Sequence, residues 1–298
     1  MSIFKKKNTP VSGDAYEDKR VAENCKKVTL DNGTIIPSCE FGEEHEEVIV
    51  TGAVYFITVN EFLKELAKKY HVYGFIMRIE ENGTETEKNE DGSINWLRQW
   101  GLEIYESARK LGLNQYHYLG KCHGAMPGWY IAAEHPEALI SLTSISASFH
   151  CSPQDQDQWT ERQKTDGPKF ALNAMRKKSN LPKKAAEAKT VGNTGFQGEG
   201  ALAAMAKYGS HSEDVFFGDY DKCKEFYDNL KLPICYIFAV DDLLYYDFQT
   251  SNEYVLYHTN RGKFVMLDNE RHLMEMDIPK KLAAECLFFL EETKMKDE

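Results

Sequence analysis

A cysteine with a glycine two positions away on each side is the feature of this sequence with the clearest chemical meaning. The segment Gly120-Lys121-Cys122-His123-Gly124 lies between a predicted strand (115–119) and a predicted helix (125–133). Glycines at both flanks leave room where a tight strand-to-helix turn brings backbone segments close together. A helix N-terminus favours the thiolate form of a cysteine. We therefore expect Cys122 to be a reactive cysteine that can act as a nucleophile.

The composition excludes several other kinds of chemistry. The 298 residues carry a formal net charge of −11, which argues against a nucleic-acid partner. No run approaches the roughly 20 apolar residues of a membrane helix, and the basic N-terminus has no apolar run after it, so neither a membrane span nor a secretory signal is predicted. The seven cysteines include no Cys-x-x-Cys pair, so we expect no metal site. Their odd number and scattered positions fit a reducing compartment, so we expect a cytoplasmic location. Nothing in the sequence indicates an organic cofactor.

Strand and helix patterns alternate along most of the chain. Strands are predicted at 48–51, 71–79, 115–119, 139–145, 232–240 and 263–267, and helices at 58–67, 93–111, 125–133 and 251–258. This alternation is typical of a parallel sheet with helices on both faces. Asn32-Gly33 predicts a hairpin with a type I′ turn, and Asp277 is the predicted cap of a last helix with Pro279 in its first turn.

The alternation also suggests the domain organisation. Residues 1–25 are predicted to be a loosely packed lead-in, and residues 26–149 together with 231–298 form an α/β core. Residues 150–230 are polar and helix-like, and they break the alternation. We interpret this segment as an inserted lid rather than a separate domain.

The order of nucleophile, acid and histidine resembles the α/β-hydrolase superfamily over roughly residues 27–293, with cysteine in place of the usual serine. The resemblance implies a mostly parallel, eight-stranded sheet with helices on both faces and an inserted helical lid. The family's acid follows a strand, and Asp242 falls on that position, with Asp241 as the alternative. The family's histidine follows the last strand, which implies His272 as the base, with Arg271 where glycine is common.

The resemblance also implies an oxyanion hole, the pair of backbone N–H groups that stabilises a tetrahedral intermediate. One N–H group would be that of His123, directly after the nucleophile, and the other that of Ala53, after the strand at 48–51. Three aromatic residues near expected loop ends, Tyr55, Trp129 and Tyr245, are candidate substrate-binding residues, with core packing as the alternative.

These features predict a hydrolase of an ester, thioester or lactone that uses a Cys-His-Asp triad. An acyltransferase or cyclase that takes its acyl group from coenzyme A or a carrier protein is a second interpretation, because a basic stretch (176–189) lies in the lid. That stretch also fits a solvated helix face. A non-catalytic ligand binder is the third. The expected partner is a small acyl substrate, carrier-linked or not, and the sequence does not predict an oligomeric state.

Overall fold

The computed structural model describes residues 25–54, 61–77, 96–147, 220–242 and 262–295. The strands within these ranges are β1 (Cys25–Thr29), β2 (Ile35–Phe41), β3 (Val48–Val54), β4 (His71–Met77), β5 (Tyr116–Lys121), β6 (Leu139–Ile145), β7 (Ile234–Ala239) and β8 (Gly262–Leu267). These eight strands of the described ranges form one sheet in the order β1-β2-β4-β3-β5-β6-β7-β8. β1 pairs antiparallel with β2, and β2 with β4, while the remaining neighbours are parallel. The predicted mostly parallel sheet is confirmed.

The hairpin between β1 and β2 forms where the sequence predicts it, but its turn differs from the expected type I′. The Gly33 N–H donates to the Leu30 carbonyl at 3.0 Å, and the Leu30 N–H donates to the Thr34 carbonyl at 2.8 Å. Gly33 has a φ of +84°, and Asn32 is not among the positive-φ residues. The Asn32 side chain accepts the Thr34 N–H instead. The result is a type I turn followed by one left-handed residue, which also suits the twist of a hairpin.

Helices connect the parallel strands. They are α1 (Glu61–Leu66), α2 (Trp96–Lys110), α3 (Met126–Glu134), α4 (Tyr220–Asn229), α5 (Met274–Asp277) and α6 (Pro279–Met295). α6 begins at Pro279, as predicted, because proline suits a first helical position where no N–H partner is needed. The predicted cap, Asp277, instead ends α5, and Ile278 separates the two helices.

Two hydrophobic clusters cover the two faces of the sheet. Trp100 of α2, Trp129 of α3 and Tyr227 of α4 belong to one cluster. Leu66 of α1 and Leu282 of α6 belong to the other. Helices on both faces are therefore confirmed, and each of these large side chains stabilises the fold by about 2 kcal/mol through burial.

Parallel strands bring their carboxyl ends to one edge of the sheet, and the candidate site lies at that edge. The ends of β3, β5, β7 and β8 all lie there. The predicted nucleophile, acid and histidine follow β5, β7 and β8. Four chain segments that are far apart in sequence therefore converge at one place.

Several predicted features lie outside the described residues. These are the lead-in (except for Cys25), the helix at 251–258, the first three residues of the helix at 58–67 and most of the lid, of which α4 is the described part. Within the ranges that the structure describes, no helix combines the length and apolar character needed to cross a bilayer.

Candidate active site

Cys122 lies in a sharp turn between β5 and α3. β5 ends at Lys121, a 3₁₀ turn covers Cys122–Ala125, and α3 begins at Met126. Cys122 has a φ of +52°, in the left-handed region that residues other than glycine rarely adopt. Backbone strain of this kind is held by surrounding structure and concentrates at functional sites. The turn leaves the Cys122 side chain partly exposed and close enough to interact electrostatically with His272.

The glycines on either side of Cys122 are required by close backbone contacts. A Cβ atom on Gly120 would overlap the carbonyl oxygen of Gly124, and one on Gly124 would overlap the carbonyl oxygen of Gly52 at the end of β3. Both obstacles are backbone atoms, which cannot rotate away. The sequence-based argument that only glycine fits at these two positions is therefore confirmed.

Asp242 and His272 form a buried pair next to this turn. His272 Nδ1 lies 2.9 Å from Asp242 Oδ2, and the two side chains are 1% and 2% exposed. Asp241 is exposed, and its backbone N–H donates to the Glu270 carbonyl. Of the two adjacent acids, the structure places Asp242 against the histidine. Because Nδ1 contacts the carboxylate, Nε2 is the ring nitrogen left for a reacting group.

The surroundings of His272 favour its charged form. Burial alone would lower the pKa of the imidazole, but the Asp242 carboxylate and the thiolate charge of Cys122 outweigh burial and raise the pKa to about 9. The positive charge of Lys121 acts in the opposite direction. The electrostatic interaction between Cys122 and His272 shows that the two side chains lie close to each other.

The loops that carry the acid and the histidine are bonded to each other. The Val240 N–H donates to the Leu267 carbonyl, and the Asp241 N–H donates to the Glu270 carbonyl, both at 3.0 Å. The histidine loop turns through Asn269, whose φ is +59°. Asparagine tolerates this conformation better than most residues, so the loop turns without a glycine at Arg271.

The register of β3 decides which of its N–H groups face the turn at Cys122. The carbonyl of Glu47, just before β3, accepts a hydrogen bond from the β4 residue His71. Backbone groups alternate sides along a strand, so the Ala53 N–H also faces β4, while those of Gly52 and Val54 face the turn. The position of the Gly52 carbonyl against Gly124 agrees with this register. The register favours Val54 rather than the expected Ala53 as an oxyanion donor, beside His123 in the 3₁₀ turn.

Two contacts at the site were not anticipated from the sequence. The Tyr118 hydroxyl donates to the Gly124 carbonyl at 2.7 Å and lies against Gly52 at the end of β3. Lys121 Nζ lies 2.7 Å from Glu275 Oε1, and both side chains are mostly buried. Nothing in the local sequence pattern indicates either contact, because each joins residues that only the fold brings together.

Trp129 lies in the core, contrary to the substrate-binding interpretation. Its side chain is fully buried, and its ring lies 5.5 Å from that of Tyr236 and 5.8 Å from that of Tyr227. The core-packing alternative therefore describes Trp129. The other two aromatic candidates, Tyr55 and Tyr245, lie outside the described residues. In the described part of the chain, no group of three or more His, Cys, Asp or Glu side chains could hold a metal ion.

Known proteins resemble this chain in structure rather than in sequence. No family model matches the sequence, and no curated protein matches it. Among solved structures, an N-acyl homoserine lactone degrading enzyme has a TM-score of 0.61 at 14% identity, with 89% of this chain and 100% of that chain covered. The enol-lactonase from Burkholderia xenovorans LB400 has a TM-score of 0.60 at 12% identity, with the same coverage.

A third similar structure is an alpha/beta hydrolase enzyme from a Medee basin deep-sea metagenome library. Its TM-score is 0.61 at 16% identity, and the alignment covers 89% of this chain and 97% of that one. These matches agree with the sheet order and with helices on both faces. The chain has the α/β-hydrolase fold.

Proposed function

We propose that this chain is an acyl-enzyme-forming hydrolase of an ester, thioester or lactone, with Cys122 as nucleophile, His272 as acid and base, and Asp242 as the residue that orients His272. The observation that carries the proposal is Cys122, held at positive φ beside the buried His272–Asp242 pair. Strain at a reactive side chain and a paired buried histidine are each unusual. Together they form the arrangement that nucleophilic catalysis requires.

In the first half of the reaction, Cys122 Sγ attacks the substrate carbonyl carbon as a thiolate. The carbonyl π bond breaks, and its electrons form an oxyanion that the His123 and Val54 N–H groups stabilise. When the tetrahedral intermediate collapses, the carbon–oxygen or carbon–sulfur bond to the leaving group breaks. The leaving group takes a proton from His272 Nε2, and a thioester on Cys122 remains.

In the second half, water attacks the thioester carbon. His272, now neutral, takes a proton from the water, and the Cys122 thiolate leaves as the acid product forms. Asp242 holds Nδ1 throughout, so that Nε2 faces the reacting atoms. The elevated pKa of His272 suits its role as proton donor in the first half at neutral pH.

The choice of ester and lactone substrates draws support from the similar structures. Two of them are described as lactone-degrading or lactonase enzymes, and a further one is an esterase from Rhodococcus sp. with a TM-score of 0.60. A cysteine nucleophile adds thioesters to this class, because exchange between two thioesters is nearly balanced in energy. Transfer to an acceptor other than water is the alternative outcome, and the basic stretch that would support it lies outside the described residues.

The experiment is intact-mass analysis after incubation with p-nitrophenyl acetate and an acetyl thioester. We expect one acetyl adduct on the wild type and none on Cys122→Ala. Cys235→Ala is the matched control, because Cys235 is fully buried in β7, and it should keep the adduct. Absence of an adduct from the wild type would contradict both hydrolysis and transfer and would leave a ligand binder. Decay of the adduct in buffer supports hydrolysis, whereas decay that needs an added amine or alcohol supports transfer.

A further inference from the structure

Tyr118 connects two parts of the site through one hydroxyl group. It lies on β5, two residues before Gly120, and its side chain is fully buried. The hydroxyl donates to the Gly124 carbonyl at 2.7 Å. Gly52 lies against the same oxygen, with its N–H on that side, and a Cβ on Gly52 would come within 2.8 Å of it. A phenolic hydroxyl has one proton to donate, and that proton is used on Gly124.

The two residues that Tyr118 joins belong to the two segments that carry the oxyanion N–H groups. Gly52 lies two residues before Val54 on β3, and Gly124 follows His123 in the 3₁₀ turn. β3 and β5 pair at Ile49–His117 and Val50–Tyr118, and the ladder described between them stops there. Past that point, the Tyr118 hydroxyl bridges the separating strands.

We propose that Tyr118 is a positioning residue that fixes the spacing between the end of β3 and the turn at Cys122, and hence between the two halves of the oxyanion hole. The inference rests on the proposed function in one respect, namely that the reaction forms an oxyanion. Oxyanion stabilisation depends on donors held at hydrogen-bonding distance before the reaction begins. Displacement of a catalytic group by about 1 Å can lower a rate by about a hundredfold.

The chain provides a matched control for this inference on the same strand. Tyr116 is two residues earlier, so its side chain is on the same face of the sheet as that of Tyr118. It is also fully buried, and its hydroxyl has no hydrogen-bond partner among the residues that the structure describes. Tyr116→Phe and Tyr118→Phe each remove one buried oxygen, but only the second removes a hydrogen bond to the turn at Cys122.

The kinetic test uses p-nitrophenyl acetate as substrate. We expect Tyr118→Phe to lower kcat by about tenfold to a hundredfold with KM changed by less than about twofold, because the lost interaction acts on the transition state. Tyr116→Phe should keep kcat within about twofold of the wild type. Equal kcat in the two variants would overturn the inference.

A second readout separates positioning from general damage. The rate at which iodoacetamide alkylates Cys122 depends on the thiolate and His272, which Tyr118 does not contact in the proposed role. Its pH dependence should be the same in the wild type and in Tyr118→Phe. A parallel loss of alkylation in Tyr118→Phe would mean that the whole turn is disrupted, and it would overturn a specific role in the oxyanion hole.

A third measurement needs neither catalysis nor a folded variant. Hydrogen exchange followed by NMR should find the Gly52 N–H slow to exchange in the wild type, because it faces the buried Tyr118 hydroxyl. Fast exchange at Gly52 beside a normal acetyl adduct on Cys122 would overturn this inference alone. Slow exchange at Gly52 with no adduct would overturn the proposed function, and with it the positioning role of Tyr118.

Discussion

Lys121 Nζ lies 2.7 Å from Glu275 Oε1, and this ion pair joins the residue before Cys122 to α5, which begins two residues after His272. The side chains of Lys121 and Glu275 are 18% and 16% exposed. Because this ion pair is little exposed to solvent, salt screens it less than it screens a surface pair. It therefore contributes to the electrostatic balance at His272, whose pKa the positive charge of Lys121 lowers.

Substitutions of the two partners should move the pH dependence of the site in opposite directions. Lys121→Met removes the positive charge, so the pKa of His272 should rise further. Glu275→Gln leaves Lys121 uncompensated, so the pKa of His272 should fall. NMR titration of the His272 ring in each variant measures both shifts. A shift in the same direction in both variants would contradict this electrostatic account.

The same ion pair should contribute to stability. Either single substitution should lower the free energy of unfolding by about 1–3 kcal/mol, between the values for surface and fully buried pairs. Lys68→Met is the control, because Lys68 pairs with Glu65 at the surface and is 65% exposed. It should cost less than about 0.5 kcal/mol. Urea unfolding of the three variants measures these differences.

The pKa of His272 predicts a limit on activity at high pH. Above about pH 9 the imidazole loses its proton and can no longer protonate a leaving group. We expect kcat/KM for an ethyl ester to fall above this pH, because ethoxide needs that proton. A p-nitrophenyl ester should show no such fall, since its leaving group departs as an anion. Matching pH profiles for the two esters would contradict the assignment of His272 as the acid.

Stability should depend on pH through the same residue. The pKa of His272 is raised in the folded chain, so its contribution is fully present below its unfolded value of about 6.5 and is lost as pH rises through about 9. The contribution is on the order of 3 kcal/mol. The difference in unfolding free energy between the wild type and His272→Gln should therefore be larger at about pH 6 than at about pH 9.5. Urea unfolding at the two pH values tests the sign.

Gly124→Ala should damage the turn at Cys122. Its Cβ would overlap the Gly52 carbonyl oxygen, and we expect a loss of about 3 kcal/mol in stability together with loss of the acyl adduct. Gly112→Ala is the control, because a Cβ there meets open space and the cost comes from its φ of +79° alone, about 1 kcal/mol. Thermal unfolding of both variants makes the comparison, and equal losses would refute the close-contact argument.

Trp129→Phe tests whether this residue acts in the core or at the substrate site. The indole is buried and packs on Tyr227 and Tyr236. Its replacement by the smaller phenyl ring should therefore lower the free energy of unfolding by about 1–3 kcal/mol. KM for p-nitrophenyl acetate should remain within about twofold of the wild type. A raised KM at unchanged stability would restore the substrate-binding interpretation.

The sequence predicted the fold because alternating strands and helices form a local pattern, whereas the acid and the histidine were implied by the resemblance to the α/β-hydrolase superfamily. Alternating strands and helices determine the parallel sheet, and the ends of its strands then bring Cys122, Asp242 and His272 to one edge. The glycines at 120 and 124 could be interpreted because a tight turn needs them wherever it occurs. Local sequence pattern is therefore sufficient to predict strands, helices and tight turns, because each of them forms within one segment of the chain.

Features that depend on contacts between segments were missed. Lys121 and Glu275 are 154 positions apart in the chain, and Tyr118 meets Gly52 through the sheet, so no spacing rule indicates either contact. The resemblance implied Ala53 as an oxyanion donor, and a one-residue change in position reverses the side that a strand's N–H group faces, so the choice depends on the register of β3. Trp129 was considered for the substrate site because of its place near an expected loop end, and that place does not tell whether a side chain faces the core.

The positive φ of Cys122 also limits which residues evolution can place at this position. A side chain branched at Cβ is strongly disfavoured in the left-handed region, so threonine does not suit this position. Serine, cysteine and aspartate, which are short and unbranched at Cβ, remain compatible with the backbone. A change between serine and cysteine replaces a single atom and leaves the turn as it is. The backbone thus restricts the residue at this position to a few short polar side chains, and one substitution can exchange one of them for another.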